Sequence, residues 1–130
     1  MKVLIDTHVL IWWLGRSRRI PRATRDRLLD AGNEVRVSAA TAWEIVVKRR
    51  IGKLAFDTDF LAAFDARVQK LGFDPMGVTA RHAIRGAEID SAHKDPFDRM
   101  LAGQALVEDL TLVSADPAFE MLGVKAQWWR

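Results

Sequence analysis

Short runs rich in Val, Ile and Leu, separated by stretches of helical periodicity, constrain this chain more than any other feature. Runs that continuous suit strands buried on both faces, which is the environment of a parallel sheet covered by helices. Val3 to Ile5 reads as the first strand and Thr7 to Leu14 as a helix following almost at once. Pro21 to Ala31 reads as a second helix, with Pro21 at its first position and Gly32 as its stop, and Glu34 to Val37 as a second strand. Ser38 caps a helix from Ala40 to Ile51 that Gly52 ends, and Asp57 or Thr58 opens another reaching Lys70. Val78 closes a short strand, and Thr79 caps a helix to Ile89. The pattern ends with a helix from Pro96 to Glu108, a strand from Leu110 to Val113, a turn over Pro117 to Met121 and a last strand over Val124 to Ala126. The expected fold is α/β, and 130 residues suffice for a single domain over 1–130 with a real core.

Composition narrows the function classes. At 49% hydrophobic and 28% charged residues, the chain has the balance of a soluble globular domain. No apolar run approaches the roughly 18 residues of a membrane span, and Asp6 interrupts what would be the apolar part of a signal peptide, so a cytoplasmic location is expected. Cysteine is absent, so any metal must bind through oxygen or histidine. The net charge is only +3, but Arg16, Arg18, Arg19, Arg22, Arg25 and Arg27 crowd one segment, and Lys48, Arg49, Arg50 and Lys53 form a second group. Such a surface either binds a polyanion or simply solubilises the chain.

In a parallel sheet, ligands bind beyond the carboxyl ends of the strands. Asp6 follows the first strand directly, Asp116 follows the Leu110 to Val113 strand, and Glu44 stands in the second turn of the helix after strand two. That helix has an apolar stripe including Trp43, Val46 and Val47, with Glu44 at its edge. The stretch HKDPFDRML, residues 93 to 101, makes Asp95 an N-cap before Pro96 and puts Asp98 in the first turn. Each acid also has a local explanation. Asp95 and Asp98 can be a helix start signal, Glu44 an i,i+4 partner of Lys48, Asp116 a cap before Pro117, and Asp6 a turn residue. One explanation covers all four sites: carboxylates gathered at the ligand-binding end of a sheet suit Mg²⁺ or Mn²⁺, hard cations that take oxygen ligands.

These residues carry a resemblance. The segments DTHVLIWWL at 6 to 14, SAATAWEIVVKRRIGKL at 38 to 54, HKDPFDRMLAGQA at 93 to 105 and LTLVSADPAF at 110 to 119 resemble, in order and spacing, a PIN-domain ribonuclease of the VapC type, the toxin of bacterial toxin–antitoxin pairs. The resemblance implies a three-layer α/β/α sandwich with a short central parallel sheet, a homodimer, a cognate antitoxin, and endonucleolytic cleavage of RNA with Mg²⁺ or Mn²⁺. It places the catalytic, metal-holding acids on Asp6, Glu44, Asp98 and Asp116, with Thr7, Asp95 and Ser114 in support. One departure is Leu101-Ala102-Gly103-Gln104-Ala105 where relatives often read LIAQA, which trims bulk from a helix expected to pack on the sheet.

The remaining residues divide between core and surface roles. Trp12 and Trp13 fall on an apolar helix and are expected in the core or a dimer contact rather than stacked on bases. His8, His82 and His93 are too scattered for a ligand set, although His93 lies within reach of the site. Phe60, Leu61, Phe64 and Val68 form a stripe that is either core or a groove for an antitoxin segment. Two rivals lack their signatures: a phosphoacceptor receiver needs paired acids after strand one, and an aspartyl phosphatase needs Asp-x-Asp where His8 stands. A non-catalytic RNA-binding protein is the other alternative, and four carboxylates in its cleft would only repel phosphate.

Overall fold

A computed structural model describes all of residues 1–130. Five parallel strands are ordered β3-β2-β1-β4-β5, with β1 Lys2–Ile5, β2 Glu34–Ser38, β3 Asp74–Met76, β4 Thr111–Val113 and β5 Ala126–Gln127. The helices are α1 Thr7–Leu14, α2 Arg22–Leu29, α3 Ala39–Arg50, α4 Thr58–Ala62, α5 Phe64–Lys70, α6 Ala80–Glu88 and α7 Pro96–Glu108, with a 3-10 turn over Pro117–Leu122. No helix is long and apolar enough to cross a membrane.

Alternation along β1 splits the core into two layers. Val3 and Ile5 join Val35, Val37, Val9, Leu10, Ile45, Phe60, Val68 and Phe73 on one face of the sheet. Leu4 and Leu112 join Leu101, Ala102, Ala105, Phe119 and Leu122 on the other. Helices therefore cover both faces, the α/β/α sandwich the sequence implies. Because the strand order reverses between β1 and β4, the crevice beyond their carboxyl ends is the sheet's switch point. Asp6 follows one of these strands and Ser114 the other.

Where the elements differ from expectation, tertiary contacts account for it. The helix expected to reach Lys70 breaks at Ala63, whose φ of −129° and ψ of 40° leave the helical region, and Phe60 and Val68 on its two sides are both buried. Those two stripe residues are thus core. The third strand ends at Met76, where pairing with Ser38 stops, and leaves Val78 in an exposed loop. The last strand starts at Ala126 because Gly123, at φ 72°, ends the 3-10 turn, and the Lys125 carbonyl just before the strand accepts from Leu112 N–H. Pro21 precedes α2 as its N-cap, and the helix stops at Leu29.

Trp12 and Trp13 are half-buried. Trp13 packs on the first core layer against Phe73, and Trp12 meets Trp128 edge-on with ring centroids 6.0 Å apart. Arg19 covers Trp12, Arg25 covers Trp13 and Arg27 covers Trp129, with guanidinium carbons 5.6, 5.1 and 4.9 Å from the ring centroids. These rings are packing surfaces under arginines rather than open platforms.

Candidate metal centre

Asp6 occupies the single residue between β1 and α1, so its carboxylate both caps a helix and faces the switch point. Its Oδ1 accepts from Val9 N–H at 2.9 Å, and the Ser114 hydroxyl donates to Oδ2. Ser114 Oγ in turn accepts from Asp116 N–H at 3.0 Å, so one hydroxyl links the ends of β1 and β4. Asp6 is 4% exposed. Burial pushes its carboxyl above the usual value and Glu44 adds repulsion, against the lowering effect of the Ser114 and Val9 bonds. Next to it, the buried Thr7 hydroxyl meets the Thr41 hydroxyl at 3.1 Å, pinning the start of α1 to α3.

That pin and the Ser38 cap, which accepts from Ala40 N–H at 2.9 Å, set the rotation of α3. The buried face is Ala40, Thr41, Glu44 and Ile45, not the apolar stripe expected from the sequence: Trp43 is 54% exposed and Val46 39%. Glu44 is consequently buried, and Lys48, one turn on, donates its Nζ to Glu44 Oε2. Trp43 reaches across to Phe97 at the start of α7, with centroids 4.8 Å apart.

The start of α7 brings the other acids. Asp95 Oδ1 accepts from Phe97 N–H at 2.9 Å and Asp98 N–H at 3.0 Å, with Pro96 at the first helical position, as the sequence predicts. Asp98 Oδ2 pairs with His93 Nε2 at 2.8 Å. Burial, with Asp95 and Glu44 adding repulsion, pushes the Asp98 carboxyl up to about 6 despite the opposing His93 bond. The loop carrying His93 is held by Arg99, whose guanidinium donates to the carbonyls of Gly86, Ile89, Ser91 and His93 at 2.7 to 3.1 Å.

Asp6, Glu44, Asp95 and Asp98 thus share one electrostatic neighbourhood with Ser114, Thr7 and His93 at its edges. Asp116 is exposed, and its Oδ1 caps the 3-10 turn at Ala118 N–H, 2.9 Å away, as its local explanation allows. No three His, Asp or Glu side chains stand close enough together to share an ion. The donor chemistry nonetheless fits a hard divalent cation: the donors are carboxylate oxygens, and Glu44 adds repulsion at both Asp6 and Asp98. Thr41 and Arg99 escape a sequence reading because their partners lie 34 residues away or along a loop of carbonyls that carries no side-chain signal.

Residues 3–125 match the PIN domain family. No curated protein matches the chain significantly in sequence. Among solved structures, it is similar to VapBC2 from Rickettsia felis bound to a DNA fragment from its promoter, with a TM-score of 0.71 and 15% identity over 100% of both chains. It is also similar to VapBC-1 from nontypeable Haemophilus influenzae, with a TM-score of 0.69 and 16% identity over 99% of this chain and 98% of the other. FitAcB from Neisseria gonorrhoeae gives a TM-score of 0.61 and 22% identity over 97% and 96%. With nearly the whole length matched and an acidic cluster at the switch point of a parallel sheet, the chain belongs to the PIN-domain family.

Proposed function

We propose that this chain is a metal-dependent endoribonuclease acting as the toxin of a toxin–antitoxin pair. The observation that carries the reading is the convergence of Asp6, Glu44 and Asp98, all withdrawn from solvent, at the switch point, with burial holding Asp6 and Asp98 above their ordinary pKa. Asp6, Glu44, Asp98 and Asp116 would hold Mg²⁺ or Mn²⁺. Held there, such an ion would supply the Lewis acidity that activates a water and shields charge on a phosphate. Ser114 fixes the Asp6 carboxylate, the Thr7–Thr41 bond fixes α1 against α3, Asp95 orders the first turn of α7, and His93 holds Asp98 Oδ2. Asp116 would contribute Oδ2, since its cap engages only Oδ1.

RNA is the substrate in this reading. The arginines from Arg16 to Arg27 make no ion pair with any acid, and Arg16, Arg18 and Arg22 cover no ring either, which leaves these three for phosphates. In this reading an antitoxin segment would dock in an apolar groove of about 400 Å³ lined by Ile11, Leu14, Phe56 and Phe60. Exposed Trp43, Val46 and Ile51 on and just past α3 support a homodimer, which buries apolar surface of this kind. The reading locates the protein in the cytoplasm.

Purified protein freed of any partner, incubated with structured RNAs in Mg²⁺, Mn²⁺ or EDTA, tests the activity. Discrete fragments that need the metal and vanish with Asp98→Asn or Asp6→Asn are expected, both variants remaining folded by circular dichroism. Full activity in either variant would overturn the assignment. A second reading, RNA binding without catalysis, draws on the Asp116 carboxylate being turned to its cap. Tight RNA retention with no fragments in either metal would favour it.

A further inference from the structure

Lys48 makes the contact that sets this site apart from an ordinary acidic pocket. An i,i+4 Glu–Lys pair on a helix surface joins two solvated charges and is worth a few tenths of a kcal/mol. Here the Glu44 side chain is 4% exposed and that of Lys48 31%. The ammonium donates to Glu44 Oε2 and faces further negative charge from Asp95 and Asp98 on the neighbouring helix. Burial alone would lower the Lys48 pKa; the Glu44 bond and the three carboxylates outweigh it and raise it. Of the other basic groups close by, Arg99 is committed to backbone carbonyls, His93 contacts Asp98, and His8 faces Asp6, so Lys48 is the one lysine or arginine paired with an acid of the cluster. One ammonium therefore serves a cluster of acids, and it holds an oxygen that a cation would need.

On the reading of these acids as a metal site, we propose that Lys48 is a resident counter-cation that a divalent ion must displace from Glu44, so that this residue weakens metal binding while keeping the empty pocket from repelling itself open. A divalent ion taken up on Glu44 Oε2 would stand close to the ammonium already donating there, and the two positive charges repel most strongly at that range. Each unit of positive charge left nearby also opposes the arrival of two more. Lys48 then sets the metal concentration at which the site fills.

The test is Mn²⁺ binding to the full chain, read from the electron paramagnetic resonance signal of the free ion, without any RNA. Lys48→Met and Lys48→Gln are expected to bind Mn²⁺ at least roughly fivefold more tightly than the wild type, since a unit charge is removed at contact distance. Lys48→Arg keeps the charge and should stay within about twofold, as should Lys53→Met, which removes an exposed lysine that pairs with no acid. Gln keeps a donor for Glu44, so it covers the case in which Met does not fold; circular dichroism reports which variants do. A folded Lys48→Gln that binds Mn²⁺ no more tightly than wild type would overturn the role of Lys48, as would equal tightening in Lys48→Arg or Lys53→Met. Wild type that takes up no Mn²⁺ would overturn the metal reading itself, and the counter-cation role with it.

Discussion

At Asp98 two opposite effects meet, and their balance can be measured. Its carboxyl, with a side chain 18% exposed, titrates near 6 in the folded chain against an ordinary 3.8, with burial the largest cause. A carboxyl raised on folding contributes stability that is complete below the unfolded pKa and is lost as pH rises through the folded one. For Asp98 that window runs from about pH 4 to pH 6, and the shift is worth about 3 kcal/mol at neutral pH. Metal-free Asp98→Asn is therefore expected to be more stable than wild type in urea at pH 7.5 and not at pH 4. A wild-type advantage that is the same at both pH values would contradict this. The position of Asp98 was legible because its signals are local: Asp95 caps, Pro96 starts the helix, and Asp98 follows within one turn. Its pairing with His93 was not, because that needs Arg99 to fold the loop back.

Between elements, the closest approach is that of α6 and α7, which touch backbone to backbone. A Cβ on Gly103 would stand 2.7 Å from Gly86 N and closer still to the His82 carbonyl, and one on Gly86 would run into the Arg99 carbonyl. The bulk missing at Gly103 thus admits α6, a matter of packing between helices rather than on the sheet. Gly103→Ala should force the helices apart and cost roughly 1–3 kcal/mol or more, read as a lower urea midpoint. Arg99→Met would leave three loop carbonyls and that of Gly86 in α6 without their donor, at a cost on the order of 3 kcal/mol. Faster amide exchange over residues 89–95, together with at least about tenfold slower RNA cleavage, is expected; loss of stability with unchanged exchange there would count against the clamp. Helix existence was readable from periodicity and caps, as α1 and α7 illustrate. The rotation of α3 was not, because a wheel drawn on hydrophobicity puts Trp43 inward, whereas the Thr7–Thr41 bond turns Glu44 inward instead.

Taken as a whole, the molecule separates an acidic crevice at the switch point from an arginine-rich segment over residues 16 to 27. If that segment meets RNA phosphates, affinity should fall steeply with salt, by about 0.7 logarithmic units per tenfold change for each phosphate contact. Replacing the exposed Arg18 and Arg22, which stack on no ring, with Gln should flatten the slope by roughly 1.5 and leave the urea midpoint unchanged. An unchanged slope would move the RNA track elsewhere. The sequence by itself determined the α/β class, the order of elements and the place of Asp6, Glu44, Asp95 and Asp98 along them. Apolar periodicity and helix caps act over a few residues and are written in one stretch of chain. Tertiary structure alone decided that Trp43 faces out and that Lys48 sits in the combined field of three acids. Those outcomes depend on groups far apart in sequence, whose separation, burial and mutual charge exist only once the sheet and its helices have closed around them.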